Sequence, residues 1–282
     1  MTAAPGAGAG PGAETRTGPV VIAHLSDLHL GAHAPDVVES LLADVAAVAP
    51  TLTVVTGDLT MRARRRQFVA ACALLEGLPA PRLVVLGNHD VPLDPVRRFA
   101  QPYRAYQRYL PGPLDAVVEA SGVRALGLAS MPRWRWKSGR ISSEQAELVA
   151  RVLGSAPAGA VRVLALHHPV SVRGPTGLVG RSRLLQAIEG RVDLVLAGHT
   201  HVPSACRLDR PRKSASGGVV EVVAGTATSR RLRGVERSWS VIRVEAGTIT
   251  VEERREHANR WTSAGLRRFP RLGDPVDVIP PG

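Results

Sequence analysis

Lysine is all but missing from this chain of 282 residues: Lys137 and Lys213 are the only two, and the rest of its positive side-chain charge is arginine. Cysteine is equally scarce. Cys72 and Cys206 stand far apart, which excludes a disulfide framework and a zinc knuckle; both read as small apolar residues. No apolar run approaches the roughly 18 residues that a membrane-spanning helix needs, so no membrane partner is expected. Residues 1–18 are rich in Ala, Gly and Pro. They have neither a basic start nor a continuous apolar stretch, so they do not read as a signal peptide. A disordered tail and a cytoplasmic location are the expectation. No coiled-coil segment and no separate DNA-binding domain stand out.

What is present begins with charge. The formal net charge is +12 and the isoelectric point about 11.2. Such a chain attracts polyanions, whether nucleic acid, anionic lipid or phosphorylated substrate. A compositional bias towards Ala, Gly, Pro and Arg explains the same number. With 44% hydrophobic residues, the chain can bury a sizeable core.

The apolar runs alternate with helical spacing. Residues 20–25, 52–56 and 82–86 read as strands, and residues 36–49 and 64–78 as helices. This β-α-β-α-β order predicts a parallel sheet with right-handed crossovers. Residues 92–110 are a weaker helical segment. A strand over 122–128 follows, then a helix opened by the capping box Ser142-Ser143-Glu144-Gln145. Residues 161–166 and 192–197 read as strands, with a short helix near 183–188 between them. From residue 202 the pattern changes to short alternating segments, 202–208, 218–224, 239–244 and 248–251. These predict antiparallel strands and a second sheet. The domain is expected to span residues 19–255, with a loosely packed tail over 256–282.

Each early strand ends in a polar residue. Gly87-Asn88-His89-Asp90 follows the third strand, and the others deliver Asp27 and His29, Asp58, His167, and His199 and His201. Ligands bind outside the carboxyl ends of strands in open α/β sheets. Asp27 and His29, like His199 and His201, are i, i+2 pairs that point the same way if extended. Seven oxygen and imidazole donors without a thiolate suit Mn, Fe, Zn or Ni. They exceed what one ion takes when it must also hold water, so two ions sharing a carboxylate are the economical reading. Glycines beside three of the pieces allow close backbone approach.

These motifs resemble the calcineurin-like metallophosphoesterases, a superfamily that includes purple acid phosphatases, phosphoprotein phosphatases, cyclic-nucleotide phosphodiesterases and repair nucleases. The resemblance rests on Asp27-Leu28-His29, Gly57-Asp58, Gly87-Asn88-His89-Asp90, a His after a later strand, and Gly198-His199-Thr200-His201. His24-x-Ser26-Asp27-x-His29 and His167-His168-Pro169 most resemble the bacterial class III cyclic-nucleotide phosphodiesterases. The resemblance implies an α/β fold, a four-layer α/β/β/α sandwich of two mixed sheets packed face to face with helices outside. It implies Asp27, His29 and His201 on one metal, Asn88, His167 and His199 on the other, and Asp58 bridging. His89 would stand over the substrate as the acid for the leaving group, with Asp90 orienting its ring. His167 is preferred to His168 as the ligand.

The implied activity is hydrolysis of a phosphodiester by a hydroxide held between two divalent ions, with cyclic nucleotides the leading small phosphoester substrate. A nuclease, a phosphomonoesterase and an inactive scaffold of the same fold are the alternatives. His24 is expected to be buried behind the motif, and His33 at the site mouth or in an ordinary loop. Arg62, Arg64, Arg65 and Arg66 are an exposed helix face or a phosphate site. Arg133-Trp134-Arg135-Trp136-Lys137 interleaves cations with indoles, either to stack bases or to pack under a loop. Residues 171–180 form a lid or an ordinary long loop.

Overall fold

Strand alternation sorts apolar side chains onto two faces of each sheet, and both faces are covered. In a computed structural model, residues 18–174, 177–208, 218–245 and 247–271 are described. The parallel neighbours β1 (Val20–Leu25), β2 (Leu52–Val55) and β3 (Arg82–Val84) are linked by α1 (Val38–Ala47) and α2 (Arg65–Gly77). Two short helices follow, α3 (Pro95–Ala100) and α4 (Arg104–Tyr109). The chain then builds β4 (Ala116–Ala120), β5 (Val123–Leu128), α5 (Ser143–Gly154), β6 (Val161–Leu166), α6 (Arg181–Ile188) and β7 (Leu194–Ala197). It ends with β8 (Ser204–Arg207), β9 (Val220–Val223), β10 (Ser238–Glu245), β11 (Thr248–His257) and β12 (Arg260–Pro270). One six-stranded sheet runs β12-β11-β10-β1-β2-β3 and the other β4-β5-β6-β7-β9-β8.

Alternate residues of one strand serve different layers. Ile22, Leu52, Val54 and Leu83 meet Val163, Ala165, Leu194 and Leu196 between the sheets. Ala23, Leu25 and Val55 face the other way, onto Leu41 and Val45 of α1 and Phe68 and Leu75 of α2. On the second sheet Leu126, Leu164 and Leu166 lie under Val149 and Leu153 of α5 and Leu184 of α6. Each of these buried Val, Leu, Ile or Phe side chains contributes about 1.5–3 kcal/mol. The result is the four-layer helix–sheet–sheet–helix sandwich. The capping box of α5 is formed: Gln145 N donates to Ser142 Oγ at 3.1 Å, and Ser142 N to Gln145 Oε1 at 3.1 Å. Among the described residues, no helix is long and apolar enough to cross a membrane.

The late strands correct the sequence reading. They do not make the second sheet by themselves. The strands β10, β11 and β12 extend the first sheet, with β10 antiparallel to β1 and Ile22 opposite Ile242. The second sheet is built from the middle of the chain, and β9 joins it parallel to β7. Alternation shows that a strand has a buried face, but not which sheet edge it will extend. The strand β4 escaped the reading because its sides are only partly buried. The expected loose tail from residue 256 is likewise overturned as far as residue 270. There β11 and β12 form a long hairpin, turning at Ala258 and Asn259 with φ 50° and 61°, the left-handed pair of a two-residue turn. Most of β12 is exposed, so its backbone ladder holds it where apolar periodicity gives no signal. The N-terminal tail for which disorder was expected lies outside the described residues, except for Gly18.

Candidate metal centre

Three loops leave the carboxyl ends of β1, β2 and β3, and two leave β6 and β7. All five converge where the two sheets meet. The i, i+2 pairs get there by a different route from the extended one expected. Asp27, His29, Asp58, His199 and His201 all have positive φ, 53°, 48°, 52°, 72° and 62°. A left-handed conformation is costly for residues with a Cβ and clusters at functional sites. The turns are over-determined by their surroundings. Asp27 N donates to the Gly57 carbonyl at 3.1 Å and His29 N to the Asp58 carbonyl at 2.9 Å. From the loop before β10, the hydroxyls of Thr226 and Thr228 donate to the carbonyls of Asp27 and Leu28 at 2.7 and 2.6 Å.

The side chains form two triads with Asp58 between them. In the first, His29 Nε2 lies 3.1 Å from His201 Nε2, and Asp27 Oδ1 is 3.6 and 3.2 Å from those two nitrogens. In the second, Asn88 Oδ1 lies 3.1 Å from His167 Nε2 and 3.0 Å from His199 Nδ1. Asp58 Oδ2 faces the first, 3.7 Å from His29 Nε2, while its Oδ1 faces the second, 3.4 Å from His167 Nε2. All seven residues predicted from the sequence as ligands are therefore brought together.

Backbone carbonyls fix the imidazole tautomers. His167 Nδ1 donates to the Thr56 carbonyl at 2.6 Å and His201 Nδ1 to the Arg231 carbonyl at 3.0 Å. In the neutral ring each Nε2 is thus left with a lone pair aimed into the cluster, as a metal ligand requires. These carbonyls carry no sequence signal, and sequence reasoning missed them. His168 cannot serve in place of His167. Its Nδ1 meets Ser130 Oγ at 2.8 Å and its Nε2 the Lys137 carbonyl at 2.9 Å.

The donor set fits divalent cations. Asp27 Oδ1 is buried without a hydrogen-bond partner, a cost that a bound cation removes. Burial alone would raise the Asp27 carboxyl, yet His201 and His29 hold it well below the ordinary range. Burial also opposes protonation of His167, but Asp58 outweighs it and pushes the imidazole up to about 9. The cluster therefore draws in positive charge, as protons if no metal supplies it.

His89 stands at the edge of this cluster, half-buried, its ring edge-on to His29 with centroids 4.8 Å apart. Its Nδ1 donates to the Met61 carbonyl at 2.9 Å. That bond, not Asp90, orients the ring, which corrects the role expected for Asp90. The Asp90 carboxylate instead accepts from the backbone N–H groups of Leu59, Thr60 and Gly87 at 3.2, 2.8 and 3.0 Å. It pins the loops of Asp58 and Asn88 to each other. Burial lowers the His89 pKa from its ordinary value, so its protonated form is the stronger acid.

His24 is fully buried within β1, its Nε2 3.0 Å from Thr56 Oγ1, and burial lowers it to about 3. His33 Nδ1 accepts from Gly31 N at 3.2 Å and takes no place in the cluster. Of the possible lid, residues 175–176 lie outside those described.

The glycines are required by contact. A Cβ on Gly198 would lie 1.8 Å from Ser26 Oγ and 2.6 Å from Asp27 Oδ2. Ser26 is fully buried and bonded to the Thr56 carbonyl at 3.1 Å, so it cannot retreat. Gly198→Ala is expected to lower stability by about 1–3 kcal/mol and to weaken metal binding through Asp27. Urea unfolding checks the first effect; an unchanged midpoint would show that the loop yields freely.

The calcineurin-like phosphoesterase family model matches residues 20–203. No curated protein matches the chain. Among solved structures, a purple acid phosphatase from yellow lupin (Lupinus luteus) seeds overlays with a TM-score of 0.71 at 14% identity. The overlay covers 92% of this chain and 55% of that one, so this chain spans little more than half the length of the plant protein. Vacuolar protein sorting 29 from Cryptosporidium parvum overlays more loosely, with a TM-score of 0.49 at 13% identity, over 89% of this chain and 98% of that one. At such identities the lupin overlay speaks for the fold alone, whereas the family model spans every loop of the cluster, and the chain belongs to the calcineurin-like phosphoesterase family.

Proposed function

We propose that this chain hydrolyses phosphodiesters with two divalent cations, Mn, Fe, Zn or Ni, held by the seven residues described above. The observation that carries the reading is the placement of Asp58, whose two oxygens face different donor triads. In this assignment Asp27, His29 and His201 hold one cation, Asn88, His167 and His199 the other, and Asp58 is shared. Bound there, the cations would lower the pKa of a water and offset charge on the phosphoryl oxygens.

The chain's own groups supply the rest. The carbonyls of Thr56 and Arg231 hold the imidazole lone pairs inward. Asp90 keeps the Asp58 and Asn88 loops in register. His89, with Nδ1 committed to Met61, directs Nε2 at the bound ester and can give a proton to the leaving oxygen. Cyclic nucleotides are the leading substrate class, supported by the pattern around Asp27 and His167.

The test is activity of the metal-reconstituted chain on a panel of esters. The panel comprises 3′,5′- and 2′,3′-cyclic nucleotides, bis-aryl and mono-aryl phosphates, glycerophosphodiesters and DNA. The expected result is metal-dependent cleavage of diesters, with cyclic nucleotides among the better substrates. Cleavage of monoesters alone would overturn the phosphodiesterase reading.

A further inference from the structure

The arginines of this chain differ in whether they have acidic partners. Around the outer edge of the first sheet they are paired: Arg237 with Glu256, Arg243 with Glu252, and Arg254 with Asp44. Beside the metal centre they are not. A groove of about 850 Å³ is lined by Arg62, Arg64, Arg65, Arg97, Arg104 and Arg108, with Asp94 the one acid among its lining residues. All six arginines are exposed, and among the described residues none of them joins a carboxylate in an ion pair. Asp94 is occupied in capping α3, where its Oδ1 accepts from Arg97 N at 2.9 Å. Arg65 also sits in the first turn of α2, where the helix dipole disfavours a cation. Stability does not explain this arrangement; attraction of an extended anion does.

The groove is lined by residues that follow directly on the loops carrying the metal centre. Arg62 follows Met61, whose carbonyl holds His89, and Pro92 and Leu93 line the groove just after Asp90. Across α3 it adjoins an aromatic surface. The chain has only four Trp, three Tyr and three Phe, and the exposed ones are Phe99, Trp134 and Trp136, at 52%, 54% and 47%. The buried Arg98 ties this surface to the groove. Its guanidinium donates to the carbonyls of Arg133, Pro92 and Arg135 and stacks 4.5 Å from the Trp136 ring. The tryptophan loop in turn reaches the metal centre, where the Lys137 carbonyl accepts from His168 Nε2.

Cations that track a backbone beside exposed aromatic faces are the recognition elements for single-stranded nucleic acid. The recessed centre favours a strand that can bend into it, since Asp27, Asp58 and Asn88 are 0%, 1% and 9% exposed and a duplex is stiff over such lengths. We infer that the arginine groove and the neighbouring Phe99, Trp134 and Trp136 surface bind single-stranded nucleic acid and lead its backbone to the metal centre. That the strand is also cleaved rests on the phosphodiesterase reading; that it binds does not.

The test is fluorescence anisotropy of a fluorescein-labelled 15-mer of thymidylate with the full chain in EDTA, between 50 and 200 mM salt. Because no metal is present, failure to cleave bis(p-nitrophenyl) phosphate in a separate assay would count against the catalytic reading and leave the groove untouched. The triple variant Arg97→Gln, Arg104→Gln, Arg108→Gln should bind about 10- to 100-fold more weakly. Its dependence of log K on log salt should flatten by about 2, the share of three phosphate contacts on a single strand. Trp134→Ala with Trp136→Ala should weaken binding about 10-fold or more without changing that slope. An equally neutralised control, Arg151→Gln, Arg191→Gln, Arg260→Gln, removes exposed arginines elsewhere and should bind within about 3-fold of the parent. Unfolding midpoints verify that each variant is folded. An equal loss in the control would reduce the effect to net charge and overturn the inference. Equally tight binding of a 15-base-pair duplex or of polyphosphate would overturn it as well, as would no binding at all.

Discussion

Asp58→Asn is expected to lower kcat/KM on diesters by about 10³- to 10⁴-fold, the several kcal/mol that a correctly placed cation supplies to a phosphoryl transition state. Asp58 alone divides its oxygens between the donor triads. Asparagine keeps one acceptor oxygen, so the 2.8 Å bond from His89 N can persist and the loop need not open. What it loses is the second anionic oxygen and the shared charge. His167 and His29 attract the Asp58 carboxylate, and Asp27 repels it more weakly, so the substitution removes a net favourable charge as well as a like-charge contact. A large activity loss with at most a modest fall in the unfolding midpoint is therefore the expected pair of results. Activity within 10-fold of the parent would mean that the carboxylate is dispensable.

His89→Ala should cost about 10²- to 10⁴-fold on substrates with poor leaving groups, the ordinary range for general-acid help. Nitrophenolate needs no proton to leave, so the activated aryl ester should suffer far less. The contrast is required because His89 also lies near the donors: its ring, His29 and Asp58 offer atoms within 4.8 Å of one another. Were it a ligand, its loss would depress all substrates alike and lower the metal content. A steep dependence on the leaving group with constant metal content supports the acid role. Equal losses on all substrates would contradict it.

Much of this centre was legible in the sequence because the chemistry sits at strand ends. Strands end where apolar runs stop, and the polar residues that follow declare themselves by type. Hence Asp27, Asp58, Asn88, His167 and His199 could be named from the chain alone. The conformations that bring them together could not. The paired residues were expected to be extended, but Asp27, His29, His199 and His201 are left-handed; the Asp27–His29 turn is held by hydrogen bonds that the Thr226 and Thr228 hydroxyls donate to it and that it donates to the Gly57 and Asp58 carbonyls. The orienting groups for His89, His167 and His201 are main-chain carbonyls, which every residue has. Asp90 was misread for the same reason, since its partners are backbone amides, one in its own loop and two in the loop after β2. The hairpin of β11 and β12 escaped because a backbone ladder holds the two strands together, with little apolar period to read. Composition alone could not separate paired arginines from those lining the groove.

The central claim is that one chain holds two divalent cations with Asp58 between them. Metal analysis of chelated chain reloaded with Mn²⁺ and freed of excess tests it directly, for the parent and for Asp58→Asn side by side. Two equivalents per parent chain, falling to one or fewer in the variant as activity disappears, is the result predicted here. A parent that retains one equivalent at full activity, or a variant that retains two, would contradict it.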